Sequence, residues 1–184
     1  MKRQKCTIFL IAVNVIVFFV LSFQGMTEDA GFMLEHGAMY VPYMMEGKET
    51  YRLFTSMFLH FDLDHLMNNM LMLAILGWNL EYEIGKIKFL IIYFGSGLAG
   101  NILSGLADTM TGEFAVSAGA SGAVFGLVGA LIYVAMRNKG QTSLLHSSHP
   151  HLKKLCSATF SFQKRLKTLL LTMLRTHRRQ VLTA

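Results

Sequence analysis

Residues 115–130 read AVSAGASGAVFGLVGA, an apolar run rich in glycine and alanine with two serines, Ser117 and Ser121, the second held between Ala120 and Gly122. Small residues recur at every fourth position (Ala118, Gly122, Gly126, Ala130), so on a helix they form one smooth stripe. Such a stripe lets another backbone approach closely, which is how helices pack in lipid, where burial of apolar surface gives little help. Ser117, Ser121 and Phe125 fall on a neighbouring line of the same helix. Taken alone, the run favours packing filler over a nucleophile at Ser121.

The rest of the chain gives that run its setting. Of 184 residues, 53% are hydrophobic and only 15% charged, with a mean hydropathy of +0.43. Soluble domains carry roughly 25% charged residues. The apolar residues come in long blocks with short polar punctuation, the pattern of an all-α polytopic membrane protein rather than of an alternating barrel. The net charge of +6 is one-sided. All eleven acidic residues lie at or before Glu113, and the sequence after Gly140 is purely basic. Basic residues beside apolar spans set orientation and contact anionic lipid, so no nucleic-acid partner is expected. Cys6 and Cys156 stand far apart with no ligand-like spacing, so neither a disulfide nor a metal site is expected, and no cofactor.

Four spans follow from the apolar blocks: about 8–23, 66–80, 89–106 and 114–136. Lys2, Arg3 and Lys5 before the first span keep the N-terminus cytoplasmic. No small-x-small cleavage site follows the first block, so it reads as a retained helix rather than a signal peptide. Residues 24–50 form an acidic outer loop with apolar patches, expected to lie in short pieces along the interface. Pro42 argues against one continuous helix there. Residues 141–184 contain no Gly, Asp or Glu. Their best apolar piece, near Leu166–Leu174, is too short to span, so they read as a basic tail, disordered or amphipathic. The division is therefore a membrane domain over 1–140 and a tail over 141–184.

With this topology Ser121 enters its span from the outer side, and His65 and Asn69, four apart on one helical face, enter theirs from the same side. Three polar residues from separate helices then share one depth. A serine needs a base to act as a nucleophile. The oxyanion it generates needs donors, and an Asn amide, a His N–H and backbone N–H groups beside glycine can supply them.

At these residues the sequence resembles the rhomboid family of intramembrane serine proteases. GASGAVFG (Gly119–Gly126) is similar to the family's nucleophile motif, and HFDLDHLMNN (His60–Asn69) to its second-helix His and Asn motif. Arg52, the GWNLE run ending at Glu81, and YFGSGLAGN (Tyr93–Asn101) add to the resemblance, which covers roughly residues 1–140. The resemblance implies a helix bundle with about four of the family's six transmembrane helices present. It implies Ser121 as nucleophile, with His65, Asn69 and the Ser121 N–H as the oxyanion hole and His60 as an accessory polar residue. Arg52, Glu81, Gly119, Gly122 and Gly126 become framework residues.

The departure lies at the C-terminus, where the family takes its general base from a glycine-flanked histidine on the sixth span. His146, His149, His151 and His177 fall in the glycine-free tail, on the cytoplasmic side by charge, so the base is left unassigned. The loss of glycine, acid and long apolar blocks after Gly140 reads as a truncated or frameshifted rhomboid, weakly active or inactive alone. The expected activity is serine endopeptidase cleavage of transmembrane proteins near the outer face of a bacterial cell membrane. The alternative is a catalytically inactive relative that binds membrane helices without cutting them, and a generic bundle without a site is the third reading.

Overall fold

The computed structural model describes residues 4–45, 47 and 49–137. These residues are helical apart from loops and one isolated antiparallel bridge between Met39 and Ser117. In chain order they form α1 (Lys5–Gln24), three short helices α2 (Ala30–Glu35), α3 (Val41–Met45) and α4 (Arg52–Thr55), and a 3-10 turn (Ser56–Phe58). Three longer helices follow: α5 (Leu63–Ile84), α6 (Lys86–Thr111) and α7 (Ser121–Arg137). Residues up to Met136 belong to one structural unit. The expected tail over 141–184, with its four histidines, lies outside the described residues.

The centre of the packing is α5. Its buried residues (Leu66, Asn69, Met70, Leu73, Leu76, Gly77, Leu80, Glu81) recur at three- and four-residue steps and so line one face. That face shares a core with Leu10 and Phe18 of α1, Phe89 and Tyr93 of α6, and Val124 and Leu127 of α7. The opposite face exposes Leu63, Met67, Leu71, Trp78 and Tyr82. Large apolar side chains are equally exposed along α1 (Phe9, Ile16, Phe23) and α6 (Ile87, Ile91, Leu103). Contiguous apolar surface on this scale suits lipid rather than water.

Local chemistry sets the helix ends. Pro42 sits in the first turn of α3, where its missing N–H leaves no helical bond unmade. A single residue, Gly85, joins α5 to α6 with φ +81, a conformation open to glycine at no steric cost. The α6–α7 contact is built from small residues. A Cβ on Gly100 would lie 3.3 Å from the Gly122 Cα, and Gly126 has no room for one beside Ser96. The Ser96 hydroxyl lies 3.3 Å from the Ala123 carbonyl across that contact. Gly122 and Gly126 thus pack as a small-residue stripe should.

Two expectations need correction. Among the described residues, two helices rather than four are long and apolar enough to cross a membrane: Lys5–Gln24, with a mean hydropathy of 2.7, and Lys86–Thr111, with 1.6. Leu63–Ile84 is long enough, but Asp64, Asn68, Asn69, Asn79, Glu81 and Glu83 dilute its apolar character. The fourth expected span, 114–136, fails for a different reason. Its first residues are not helical, and α7 starts at Ser121 and runs 17 residues. At 1.5 Å per residue that is about 26 Å, short of the roughly 30 Å hydrocarbon layer. Ala118 therefore leaves the stripe and packs instead against a small cluster containing Leu21, Met33, Ala38 and Leu59.

Candidate active site

Ser121 is the first residue of α7 and is exposed. The first backbone bond of that helix runs from the Val124 N–H to the Ala120 carbonyl at 3.0 Å. The N–H groups of Ser121, Gly122 and Ala123 therefore open the helix without intrahelical acceptors, at the positive end of its dipole. Donors of this kind, next to a hydroxyl, suit an anion that develops on a neighbouring atom.

His65 and Asn69 come from the start of α5. Asp62 caps that helix, its carboxylate accepting the His65 N–H at 2.6 Å, which fixes His65 in the first turn. One turn on, the Asn69 amide donates to the His65 carbonyl at 3.0 Å. The link to Ser121 is made by Gly119. A Cβ on Gly119 would lie 2.7 Å from His65 Cε1, 2.8 Å from His65 Nε2 and 3.9 Å from Asn69 Nδ2. Its φ of +132 is one that side-chain-bearing residues rarely adopt. Gly119 thus lies flat against the imidazole edge, two residues before the serine.

His60 stands behind His65, ring centroids 5.0 Å apart in an edge-to-face arrangement. It is 1% exposed, and neither ring nitrogen has a hydrogen-bond partner among the described residues. Burial first, and then the neighbouring His65, lower its pKa to about 4, against smaller opposing pulls from the Phe58 backbone and from Asp62. The fold therefore holds His60 neutral, while the unfolded chain takes up a proton near pH 6.5. Stability from this residue is complete above pH 6.5 and is lost as pH falls towards 4, by roughly 3 kcal/mol over that window. Denaturation of the detergent-solubilised chain between pH 7 and 4.5 is expected to show this slope, and His60→Gln to flatten it. An unchanged slope in the variant would assign the acid sensitivity to other groups.

Two further groups hold the surroundings. The Arg52 guanidinium is buried, pairs with Glu49, and donates to the carbonyls of Leu34 at 2.6 Å and Ala38 at 2.9 Å. It also sits over the Tyr43 and Tyr51 rings. Glu81 lies at the other end of α5 and accepts the Cys6 and Thr7 N–H groups and the Thr7 hydroxyl. It caps α1 from another helix. Among the described residues no cluster of three or more metal-ligating side chains is present.

Sequence reasoning missed what fixes the segment before Ser121. Met39 and Ser117 exchange two backbone bonds of 2.9 Å, and the Gly119 N–H donates to the Ser56 carbonyl at 2.8 Å. Backbone pairing of this sort leaves no residue-type signature. The Asp62 cap does leave one, an aspartate directly before an apolar helical run.

A family model described as Rhomboid domain matches residues 47–168, well over half of the chain. The chain belongs to the rhomboid family. The match continues past Gly140, where the resemblance in motifs ends. The rhomboid protease GluP of Bacillus subtilis (strain 168) is 36% identical over 137 residues, covering 74% of this chain and 26% of the relative. RHOMBOID-like protein 1 of Arabidopsis thaliana is 38% identical over 102 residues, 55% of this chain and 25% of the relative. RHOMBOID-like protein 5 of the same plant is 42% identical over 95 residues, 52% of this chain and 30% of the relative. This rhomboid chain thus spans between 25% and 30% of the length of these relatives. Together with its two apolar helices, family membership makes it an α-helical membrane protein with at least two apolar spans.

Proposed function

We propose that this chain works as an intramembrane serine endopeptidase, with Ser121 as nucleophile. The observation that carries the reading is the seat of Gly119 on His65 and Asn69, which brings the α7 N-terminus beside both residues. The relative named a rhomboid protease supports it. In the proposed reaction Ser121 Oγ adds to a peptide carbonyl and loses its proton to a base outside the assigned residues. The resulting oxyanion is met by the Ser121 N–H, the His65 imidazole and the Asn69 amide. Collapse expels the amine and leaves an acyl-serine, which water then hydrolyses.

The substrates are transmembrane proteins in a bacterial cell membrane. The basic N-terminus stays in the cytoplasm, so α1 leads outward and residues 24–65 lie at the outer face. Cleavage then falls near the outer end of the substrate helix. Unwinding of that helix must come first, because a helical peptide bond is closed off by its own hydrogen bonds.

The test is covalent. The chain in detergent is expected to react with a fluorophosphonate probe, forming a Ser121 Oγ–phosphorus bond as fluoride leaves, and Ser121→Ala to abolish the label. Equal absence of label in both proteins sinks the protease reading. One observation favours a second reading, a rhomboid that holds membrane helices without cutting them. Among the described residues His60, the imidazole next to His65, makes no side-chain hydrogen bond to Ser121, and the base stays unassigned. In that case a labelled transmembrane peptide binds to both proteins equally and remains intact.

A further inference from the structure

The nucleophile's segment hangs between two helices. After α6 ends at Thr111, residues 112–120 run without helical structure until Ser121 opens α7. Two sets of backbone bonds hold it: Ser117 to Met39, and Gly119 to the Ser56 carbonyl. The first leads back to Arg52, which binds the carbonyl of Ala38, the residue before Met39. The second leads to Asn101, a polar residue in α6 whose amide hydrogen bonds go to Leu53 and Ser56 and not to Ser121, His65 or Asn69. Its amide Nδ2 donates to the Leu53 carbonyl at 2.7 Å and lies 3.0 Å from the Ser56 hydroxyl. Ser56 is almost fully buried, and its neighbour Met57 packs against Gly97, one turn before Asn101 on the same helix. The 3-10 turn is thereby clamped onto α6 by one amide and one thioether.

A polar side chain in an apolar helix is costly unless it finds partners. Asn101 spends both of its donor bonds on one short stretch, Leu53–Ser56, and that stretch presents the carbonyl that receives Gly119.

We propose that Asn101 is a positioning residue for Ser121, acting through Ser56 to fix the Gly119 amide and so the placement of the serine against His65 and Asn69. Asn101 touches no substrate and moves no proton. Removing its amide frees the 3-10 turn, lets the Ser56 carbonyl drift, and loosens the segment that carries Gly119 while the helices remain packed. The proposal rests on the protease reading for its effect on reactivity, but the hydrogen-bond relay itself does not.

The experiment uses the full chain in detergent and two readouts. Amide hydrogen exchange of a peptide covering residues 113–121 reports the relay, and the fluorophosphonate labelling rate reports the serine. Asn101→Leu, similarly branched at Cγ but without a donor, is expected to raise exchange in that peptide at least tenfold and to slow labelling about tenfold. Asn101→Gln, which keeps the amide, recovers part of both. Thr7→Val breaks a hydrogen bond at the far end of α5. It serves as the control for general destabilisation and leaves exchange at 113–121 unchanged. Unaltered exchange in Asn101→Leu overturns the proposal, whatever labelling does. Raised exchange with wild-type labelling also overturns it, because the segment then does not position the serine. A wild-type chain that fails to label refutes the protease reading and the positioning role with it, while exchange still decides the relay. Equal rises in exchange for Asn101→Leu and Thr7→Val reduce Asn101 to a stability residue and overturn the assignment.

Discussion

Replacing Glu81 with alanine is expected to destabilise the chain by about 3–5 kcal/mol, because it leaves donors at the start of α1 buried without an acceptor. The Glu81 carboxylate is buried and accepts three bonds from the first turn of α1, at 3.1 Å from Cys6 N, 2.8 Å from Thr7 N and 2.9 Å from Thr7 Oγ1. Bonds to a charged acceptor contribute roughly 1.5–3 kcal/mol each, though not additively. The negative charge also faces the positive end of the α1 dipole. Gln4, the residue at the α1 N-cap, makes no capping bond with its side chain, so nothing local replaces Glu81. Glu81→Gln is expected to retain part of the effect. Both carboxylate oxygens accept, so the amide must turn its NH2 towards a donor and one bond becomes a repulsion. Thermal unfolding in detergent is the measurement, with a fall on the order of 10 °C for Glu81→Ala. A change below 1 °C would mean that α1 is held by apolar packing alone.

Gly119→Ala is expected to reduce fluorophosphonate labelling at least a hundredfold while most of the fold survives. The added methyl would stand 2.7–2.8 Å from two atoms of the His65 ring, and φ is +132. Either the imidazole is pushed aside or the segment leading to Ser121 lifts, and a displacement near 1 Å in a reacting group costs about a hundredfold. The backbone strain itself is worth about 1–3 kcal/mol. Gly129→Ala provides the contrast, because a Cβ at Gly129 meets nothing within 4 Å. In an exposed helix interior that change is expected to stabilise by roughly 0.5–1 kcal/mol and to leave labelling alone. Wild-type labelling in Gly119→Ala would show that the contact with His65 does not set the geometry of the serine.

The parts of this architecture that sequence makes legible are those governed by periodicity. Leu66, Met70, Leu73 and Leu80 mark the inner face of α5 because burial repeats with the helical turn. Gly122 and Gly126 mark the α6 contact because close backbone approach admits nothing larger. The start of α7 was not legible. Residues 114–120 are as apolar and small as those that follow, and composition continues the helix through them. Two tertiary features break it: Ser117 is drawn into a bridge with Met39, and Gly119 adopts a positive φ against His65. Span counting failed for a related reason. Hydropathy averages over a helix, whereas α5 sets partnered Asn69 and Glu81 among the apolar residues of its inner face and exposes Asp64 and Asn68 beside Leu63, Met67 and Leu71. A shared depth of Ser121, His65 and Asn69 depends on counting four spans, whereas the structure brings Gly119, two residues before Ser121, against His65 and Asn69.

The bridge between Met39 and Ser117 has a consequence for how the molecule is made. The backbone partners of the serine-bearing segment are Met39 and Ser56, both synthesised long before Ser117 and Gly119 leave the ribosome. The early half of the chain can settle into the membrane as an unarmed scaffold, with the imidazole and amide in place and no hydroxyl beside them. The Ser121 segment thus finds its backbone partners only after the loop and turn that carry them have been made.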